Sequence, residues 1–380
     1  MIPGGVVLAA APRGILSLFT NEGGVVSSVY PGLERQFDAC AVAGERQAGD
    51  PATRDLLAHL QGVMSDLRAP IAPSDAHADP IAVATAVVDL LFSRPFSYLG
   101  RSRARVYESA IRDTVIRAAE RGVPIPFYFD IGGGYHATIR PGEQDFSFDV
   151  GLGELFVIAQ IARLRQAVAR FYAPAVHFTL VIDNLCALLV NDVELAKTLA
   201  YCKRLRRLIE ELRFANVVSV LVESEHFSGA DLAQAALAEP PGEVAPMTDK
   251  RHRNVERFLG RPCTEKEALE REVRYHAIVT ASERMLNRII DGIHMTQRAS
   301  STTMCFRPFP GGDSRIQSGQ VVLTRNASAA LHPILLTSTN VARYTCSIHR
   351  FADLLPREID HVIFAEPVGT PQLLETSLKA

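Results

Sequence analysis

Pro124-Ile-Pro-Phe-Tyr-Phe-Asp130, followed by Ile131-Gly-Gly-Gly-Tyr-His136 and, further on, Val176-His-Phe-Thr-Leu-Val-Ile-Asp183-Asn184, are the segments on which the reading of this chain turns. Both apolar runs are too short for helices, are rich in aromatic and β-branched residues, and stop at turn-forming or polar residues, so they read as buried strands. Between them, Gly151 to Tyr172 places Leu152, Leu155, Phe156, Ala159, Ala162, Leu164 and Val168 roughly on one face, while Arg163, Arg165 and Arg170 lie largely outside it. The pattern is strand, loop, helix, strand, loop, helix, which implies a parallel sheet. In open α/β sheets ligands collect outside the carboxyl ends of the strands. Here one such end runs into three glycines and the other into a carboxylate, so the segment reads as the floor of a small-molecule site.

Working outward, helices are expected over Ile81 to Phe92 and Arg101 to Arg121, the latter closed by Gly122 in the position a C-terminal glycine takes. Asp192 is placed to cap a helix running to about Arg213, which precedes a strand from Val217 to Val222 with the polar end Glu223-Ser-Glu-His226. Thr264-Glu-Lys-Glu267 is a capping box opening a helix to about Ile290. After residue 300 the chain changes to short strand-like runs at Thr302 to Phe306, Gln320 to Leu323, Ile334 to Leu336, Ala342 to Ile348 and His361 to Ala365. Near the start, Val6 to Ala10 and Gly14 to Phe19 have strand character and Thr53 to Leu67 helical spacing. The expected class is α/β: a mainly parallel central sheet flanked by helices, with a small α+β N-terminal cap and an antiparallel C-terminal extension. The boundaries read as 1–70 for the cap, 71–100 for a linker and first helix, 101–300 for the α/β core and 301–380 for the extension packed on it.

Composition narrows the function. The 380 residues have 40 basic and 42 acidic side chains and a net charge of -2, so no bulk attraction to nucleic acid or to an anionic membrane is expected. No apolar run approaches the roughly 20 residues of a spanning helix, and Met1-Ile-Pro-Gly lacks the basic start of a signal peptide; a cytoplasmic protein is expected. The cysteines, Cys40, Cys186, Cys202, Cys263, Cys305 and Cys346, include no C-x-x-C pair, which argues against a zinc site or a disulfide framework. No metal and no cofactor is expected. Lysine occurs only at Lys197, Lys203, Lys250, Lys266 and Lys379, so anions are expected to be gripped by arginine forks or backbone N–H groups.

Gly132, Gly133 and Gly134 allow backbone N–H groups to approach a phosphate or carboxylate, although the spacing fits neither a dinucleotide fingerprint nor a P-loop. Tyr135 and His136 add a stacking phenol and a titratable imidazole; a plain tight loop is the competing reading. Asp183, with Asn184, closes a buried strand, where a carboxylate needs donors from a ligand or serves as N-cap to a helix from Leu185. Arg307 and Arg315 flank a Gly-Gly turn that suits an anion or forms a hairpin with exposed arginines. His332 and His349 are further proton-transfer candidates, and Glu223, Glu225 and His226 form a group with metal-ligand chemistry.

The order Pro124-Ile-Pro-Phe, a polar glycine loop, Gly151-Leu-Gly-Glu-Leu155, Tyr172-Ala-Pro174 and Phe178-Thr-Leu-Val-Ile-Asp183 resembles the isocyanide (isonitrile) synthase family of the pyoverdine and dityrosine biosynthesis group. Met304-Cys-Phe-Arg307 to Gly319 and Leu331-His-Pro333 extend the similarity, which covers roughly residues 100 to 335. Where that family's first loop carries Lys-Ser-Pro-Asn, this chain has Ile131-Gly-Gly-Gly-Tyr-His136. Its Ser-Asp-Gly is Ile182-Asp-Asn184, and its tryptophan before the histidine is absent, since the chain has none. The resemblance implies condensation of an amino-acid α-amine with the carbonyl of ribulose 5-phosphate, which supplies the isonitrile carbon. It implies a role for Asp183 and, more loosely, for His332 and Arg307. An amino-acid-binding transferase or a non-catalytic accessory protein of a natural-product pathway remains the alternative. The N-terminal segment leaves regulation, homodimerisation and docking of a partner open.

Overall fold

The computed structural model describes residues 41–45, 51–69, 79–93, 95–96, 101–131, 150–191, 194–238, 247–249, 252, 255–256, 262–296, 304–305, 320–326, 328–336, 343–351, 354–359 and 361–368. The parallel sheet contains β2 (Ile125–Asp130), β3 (Val176–Ile182), β4 (Val218–Val222), β5 (Ile293–Thr296) and β6 (Met304–Cys305), in the order β4-β3-β2-β5-β6. Every pairing in it is parallel. Parallel strands need long crossovers, and the chain supplies helices: α3 (Arg101–Arg121) leads into β2, and α4 (Leu152–Ala169) joins β2 to β3. The short α5 (Asn184–Asn191) and α6 (Leu195–Glu211) join β3 to β4; α7 (Gly229–Ala238) and α8 (Glu265–Leu286) lie between β4 and β5.

One face of this sheet is dry. Phe127 stacks on Phe178 across the β2–β3 pair, with centroids 5.0 Å apart and planes at 12°. Ile125, Phe129, Leu180, Ile182, Val222 and Met295 join them in one core with apolar residues of α3, α4 and α6. Helix α4 is buried along nearly its whole length because it packs on the sheet on one side and on α1 (Pro51–Arg68) on the other. The termini of these helices are closed locally. Gly122, at φ 64°, donates to the Ala119 carbonyl at 3.1 Å and Val123 donates to Ala118 at 3.1 Å, the paired bonds of a glycine-terminated helix. Thr264 Oγ1 accepts from the Glu267 N–H at 3.2 Å, as the capping-box sequence predicts.

The C-terminal strands form a second, mixed sheet in the order β1-β9-β10-β7-β8: β1 (Ala41–Glu45), β7 (Gln320–Arg325), β8 (Leu331–Leu336), β9 (Tyr344–His349) and β10 (Val362–Pro367). The β7–β8 and β9–β10 pairs are antiparallel, as the short runs suggest, whereas β1–β9 and β7–β10 are parallel. Residues 41–45 thus share a sheet with residues 344–349. Helix α1 docks this sheet to the core: Thr53 Oγ1 lies 3.0 Å from His349 Nδ1, and Asp66 accepts from Arg163 of α4 at 2.8 Å. Helix α2 (Pro80–Leu91), capped by Asp79 accepting from the Ala82 N–H at 3.1 Å, packs against α3. The expected strands at 6–10 and 14–19 lie outside the described residues. Among the described residues no helix is long and apolar enough to cross a membrane.

Candidate functional site

The order of the parallel strands fixes where a ligand belongs. The chain starts in the middle at β2, moves out through β3 to β4, then returns to β5 on the far side of β2. The strand order therefore reverses between β2 and β5, the kind of switch point at whose carboxyl ends open parallel sheets bind ligands. The glycine run begins two residues after Asp130, the last residue of β2. On the other flank of β2, Asp130 is in register with Val181, and the Ile131 N–H donates to the Val181 carbonyl at 3.1 Å. The loop from residue 132 and the carboxylate Asp183 thus emerge from adjacent, hydrogen-bonded strand ends.

Asp183 is half-buried at the start of α5, and its carbonyl accepts from the Ala187 N–H at 3.0 Å. The sequence leaves a choice between helix cap and ligand group for its side chain. The N–H groups of Leu185 and Cys186 at the start of α5 go instead to Glu223 Oε2, at 3.0 and 3.2 Å. Glu223 follows β4 and is fully buried; its other oxygen accepts from Ser282 of α8 at 2.5 Å. Eight residues are too few to form a stable helix unaided, and α5 is held from outside at both ends. At its carboxyl end Arg271 and Arg274 of α8 donate to the Val190 and Leu189 carbonyls at 3.0 and 2.5 Å. A group expected to suit a metal is thus divided: Glu223 turns inward as a helix cap, while Glu225 turns outward to a two-pronged pair with Arg206, at 2.7 and 2.8 Å. The Arg206 guanidinium holds the Glu225 carboxyl below its usual range.

Asn184 is also fully buried. Its Oδ1 accepts from the Ser224 N–H at 3.0 Å, and its Nδ2 donates to Ser224 Oγ at 2.8 Å and to Thr198 Oγ1 at 3.5 Å. The sequence assigns Asn184 to substrate contact; in the structure its buried side chain fastens the end of β3 to the turn after β4. Cys186 lies beneath this turn. Burial, followed by the nearby negative charges of Glu223 and Asp183, pushes its thiol well above the ordinary range, which disfavours the thiolate.

The second face of the parallel sheet carries a polar row. Tyr128, Thr179, Ser219 and His294 stand side by side across β2, β3, β4 and β5, each in register with its neighbour. Tyr128 stacks on His294 at 4.4 Å and donates to Asn287 Oδ1 at 3.2 Å. Ser219 Oγ lies 3.2 Å from Thr179 Oγ1 and 3.1 Å from His177 Nε2. Tyr128, Thr179, Ser219 and His294 are half-buried and sit two to three positions before the strand ends. Their signal is the alternation His177, Thr179 and Tyr128 inside otherwise apolar runs.

Of the other residues singled out, His332 is on β8 of the second sheet, opposite Thr324 of β7, whereas Asp183 and Asn184 follow β3 of the parallel sheet. Its Nδ1 is buried without a hydrogen-bond partner, and burial pulls its pKa down. His349 is 1% exposed and uses both ring nitrogens, on Thr53 and on Ser347 at 2.9 Å, which is the arrangement of a satisfied core histidine. Gly132, Gly133, Gly134, Tyr135, His136, Arg307 and Arg315 lie outside the described residues. Glu154, in the Gly-Leu-Gly-Glu-Leu element, is buried; it accepts from the Gly151 N–H at 2.7 Å and from the Tyr201 hydroxyl at 2.9 Å, closing α4 and tying it to α6.

No family model matches this sequence, and no curated protein matches it. Among solved structures, the PvcA protein from Pseudomonas aeruginosa superposes with a TM-score of 0.52 at 15% identity, over 75% of this chain and 100% of that one. At that identity the likeness is one of fold. Tyrosyl-tRNA synthetases from Aeropyrum pernix and Pyrococcus horikoshii overlay with TM-scores of 0.30 and 0.29 at 11% and 13% identity, over 57% and 56% of this chain and 53% and 49% of theirs, and carry no argument.

Proposed function

We propose that this chain is a biosynthetic enzyme of the isonitrile-synthase kind, which condenses the α-amine of an amino acid with the carbonyl of ribulose 5-phosphate. The observation that carries the reading is a fold shared with the whole of PvcA in a chain whose motifs resemble the isonitrile-synthase family. The strand-end geometry is compatible with the chemistry. Imine formation needs an amine held against a carbonyl, a group that accepts and returns protons, and clamps for a carboxylate and a phosphate. Asp183, at the carboxyl end of β3, is assigned to orient the amine or a sugar hydroxyl. The backbone of Gly132 to Gly134, Tyr135, Arg307 and Arg315 are assigned to the two substrates, and His136 to proton transfer. No enzyme lysine is required, because the substrate amine itself forms the imine.

The test is mass spectrometry of the purified chain incubated with carbon-13-labelled ribulose 5-phosphate and the twenty amino acids. Transfer of one labelled carbon onto an amino-acid nitrogen is the expected result. Binding of amino acids with no carbon transfer under any combination would replace this reading with that of a binding protein.

A further inference from the structure

We propose that His252, Glu256 and Cys263 form a binding site for a borderline divalent metal ion, zinc foremost. An imidazole nitrogen, a carboxylate oxygen and the thiol sulfur all lie within 4.8 Å of one another, and all three residues are half-buried. His252 and Glu256 are one helical turn apart, which puts both on one face, with Nε2 and Oε1 at 3.9 Å. Cys263 comes from the other side, on the residue immediately before Thr264, the N-cap of α8. His252 Nε2 is 2.8 Å from the Cys263 carbonyl, and the Cys263 N–H donates to Glu256 Oε1 at 3.4 Å, so the two segments already meet without an ion.

The donor set selects the ion. Thiolate, imidazole and carboxylate together suit zinc, which bonds sulfur at about 2.3 Å and nitrogen or oxygen at about 2.0–2.2 Å. Ligand atoms of a tetrahedral centre with such bonds stand roughly 3.3–3.8 Å apart, so side-chain rotations of less than an ångström close the cluster. Magnesium and calcium, which prefer all-oxygen shells, are disfavoured by the sulfur. Binding releases the thiol proton to solvent and breaks the imidazole contact with the Cys263 carbonyl. The ion would pin the 252–256 turn to the start of α8, the helix that also carries Ser282, Arg271 and Arg274 to the cap residues of α5. The sequence conceals this site because a search for paired cysteines passes over a mixed set with one thiol.

The experiment is titration of the full-length chain with cobalt(II), followed by displacement with zinc(II). One equivalent should produce a thiolate-to-cobalt charge-transfer band in the near ultraviolet and the visible bands of a tetrahedral centre, both lost when zinc is added. Cys263→Ser should abolish the charge-transfer band, and Glu256→Gln and His252→Ala should each weaken cobalt affinity by at least about tenfold, with far-UV circular dichroism unchanged. Should Cys263→Ser fail to fold, the other two variants decide the question. A charge-transfer band that survives Cys263→Ser, affinities unaltered in Glu256→Gln and His252→Ala, or no stoichiometric binding to the unmodified chain would overturn the assignment.

Discussion

Replacing Glu223 tests the claim that α5, and with it the end of β3, is held by a carboxylate from the neighbouring strand. Glu223→Ala removes the acceptor of two backbone N–H groups and one hydroxyl at a position with 0% exposure. An N-cap is worth about 0.5–2 kcal/mol, and a buried donor left unmade costs about 1–3 kcal/mol. The Ser282 hydroxyl can rotate toward another acceptor, but the two backbone donors cannot. The expected loss is therefore about 3–5 kcal/mol, the range seen when one partner of a buried charged group is removed. Glu223→Gln keeps one oxygen for both N–H groups but loses the charge and sets an amide donor against the Ser282 hydroxyl, which can rotate to accept, so it should cost about 1–2 kcal/mol. Urea unfolding at neutral pH, compared at constant m-value, measures both. Hydrogen exchange at the Leu185 and Cys186 amides should accelerate in the alanine variant before global unfolding does. An alanine variant within about 1 kcal/mol of the parent, or a glutamine variant as damaged as alanine, would refute the capping argument.

Asp183→Asn is expected to lower turnover in the labelled-sugar assay by about 10²- to 10⁴-fold with the circular dichroism spectrum unchanged; parental turnover would remove Asp183 from the site. At Gly292, φ is 145° and an added Cβ would lie 2.8 Å from the Pro126 carbonyl oxygen, so Gly292→Ala should destabilise by about 2–3 kcal/mol, read from the urea midpoint. His59, His177 and His332 all have pKa values lowered from 6.5, mainly by burial. The unfolded chain therefore takes up protons first as pH falls through 6.5, and stability contributed by the neutral rings is fully present above that pH and declines below it. The urea midpoint should drop between pH 7.5 and 5.5, and a double variant His59→Asn, His332→Asn should flatten the slope; an unaltered slope contradicts the assignment. Burial raises the Cys186 thiol and takes that of Cys202 to about 12, so both should resist iodoacetamide until urea is added, as peptide mapping would report.

Strands β2, β3 and β4 were legible because they announce themselves twice, by largely apolar runs and by the glycine or acid that follows each one. Helices α3 and α8 were legible from their ends, Gly122 and the Thr264 capping box. What escaped depended on contacts between distant segments. Strand β5, Ile-His-Met-Thr, is four residues long and has no turn signal of its own; only its place beside β2 makes it a strand. The role of Glu223 could not be read because the N–H groups it caps lie 37 and 38 positions earlier in the chain. Asp183 stood out in the sequence for the opposite reason: an acid at the end of Leu180-Val-Ile182 needs a partner at the strand end. The polar row of Tyr128, Thr179, Ser219 and His294 was hidden by its neighbours, since each residue alternates with a large apolar one and the windows average to hydrophobic.

The parallel pairing of β1 with β9 has a bearing on how the chain is made. Thr53, just past β1, finds His349 at a separation of 296 positions, and a ribosome adding about 5–20 residues per second needs roughly 15–60 s to supply that partner. Among the described residues β1 is the earliest strand, and its partner β9 is made after every described strand of the central parallel sheet. Strand β1 is thus among the last of the described strands to be seated. Its backbone must be shielded in the interval, and a transcript truncated before residue 344 strands it for good.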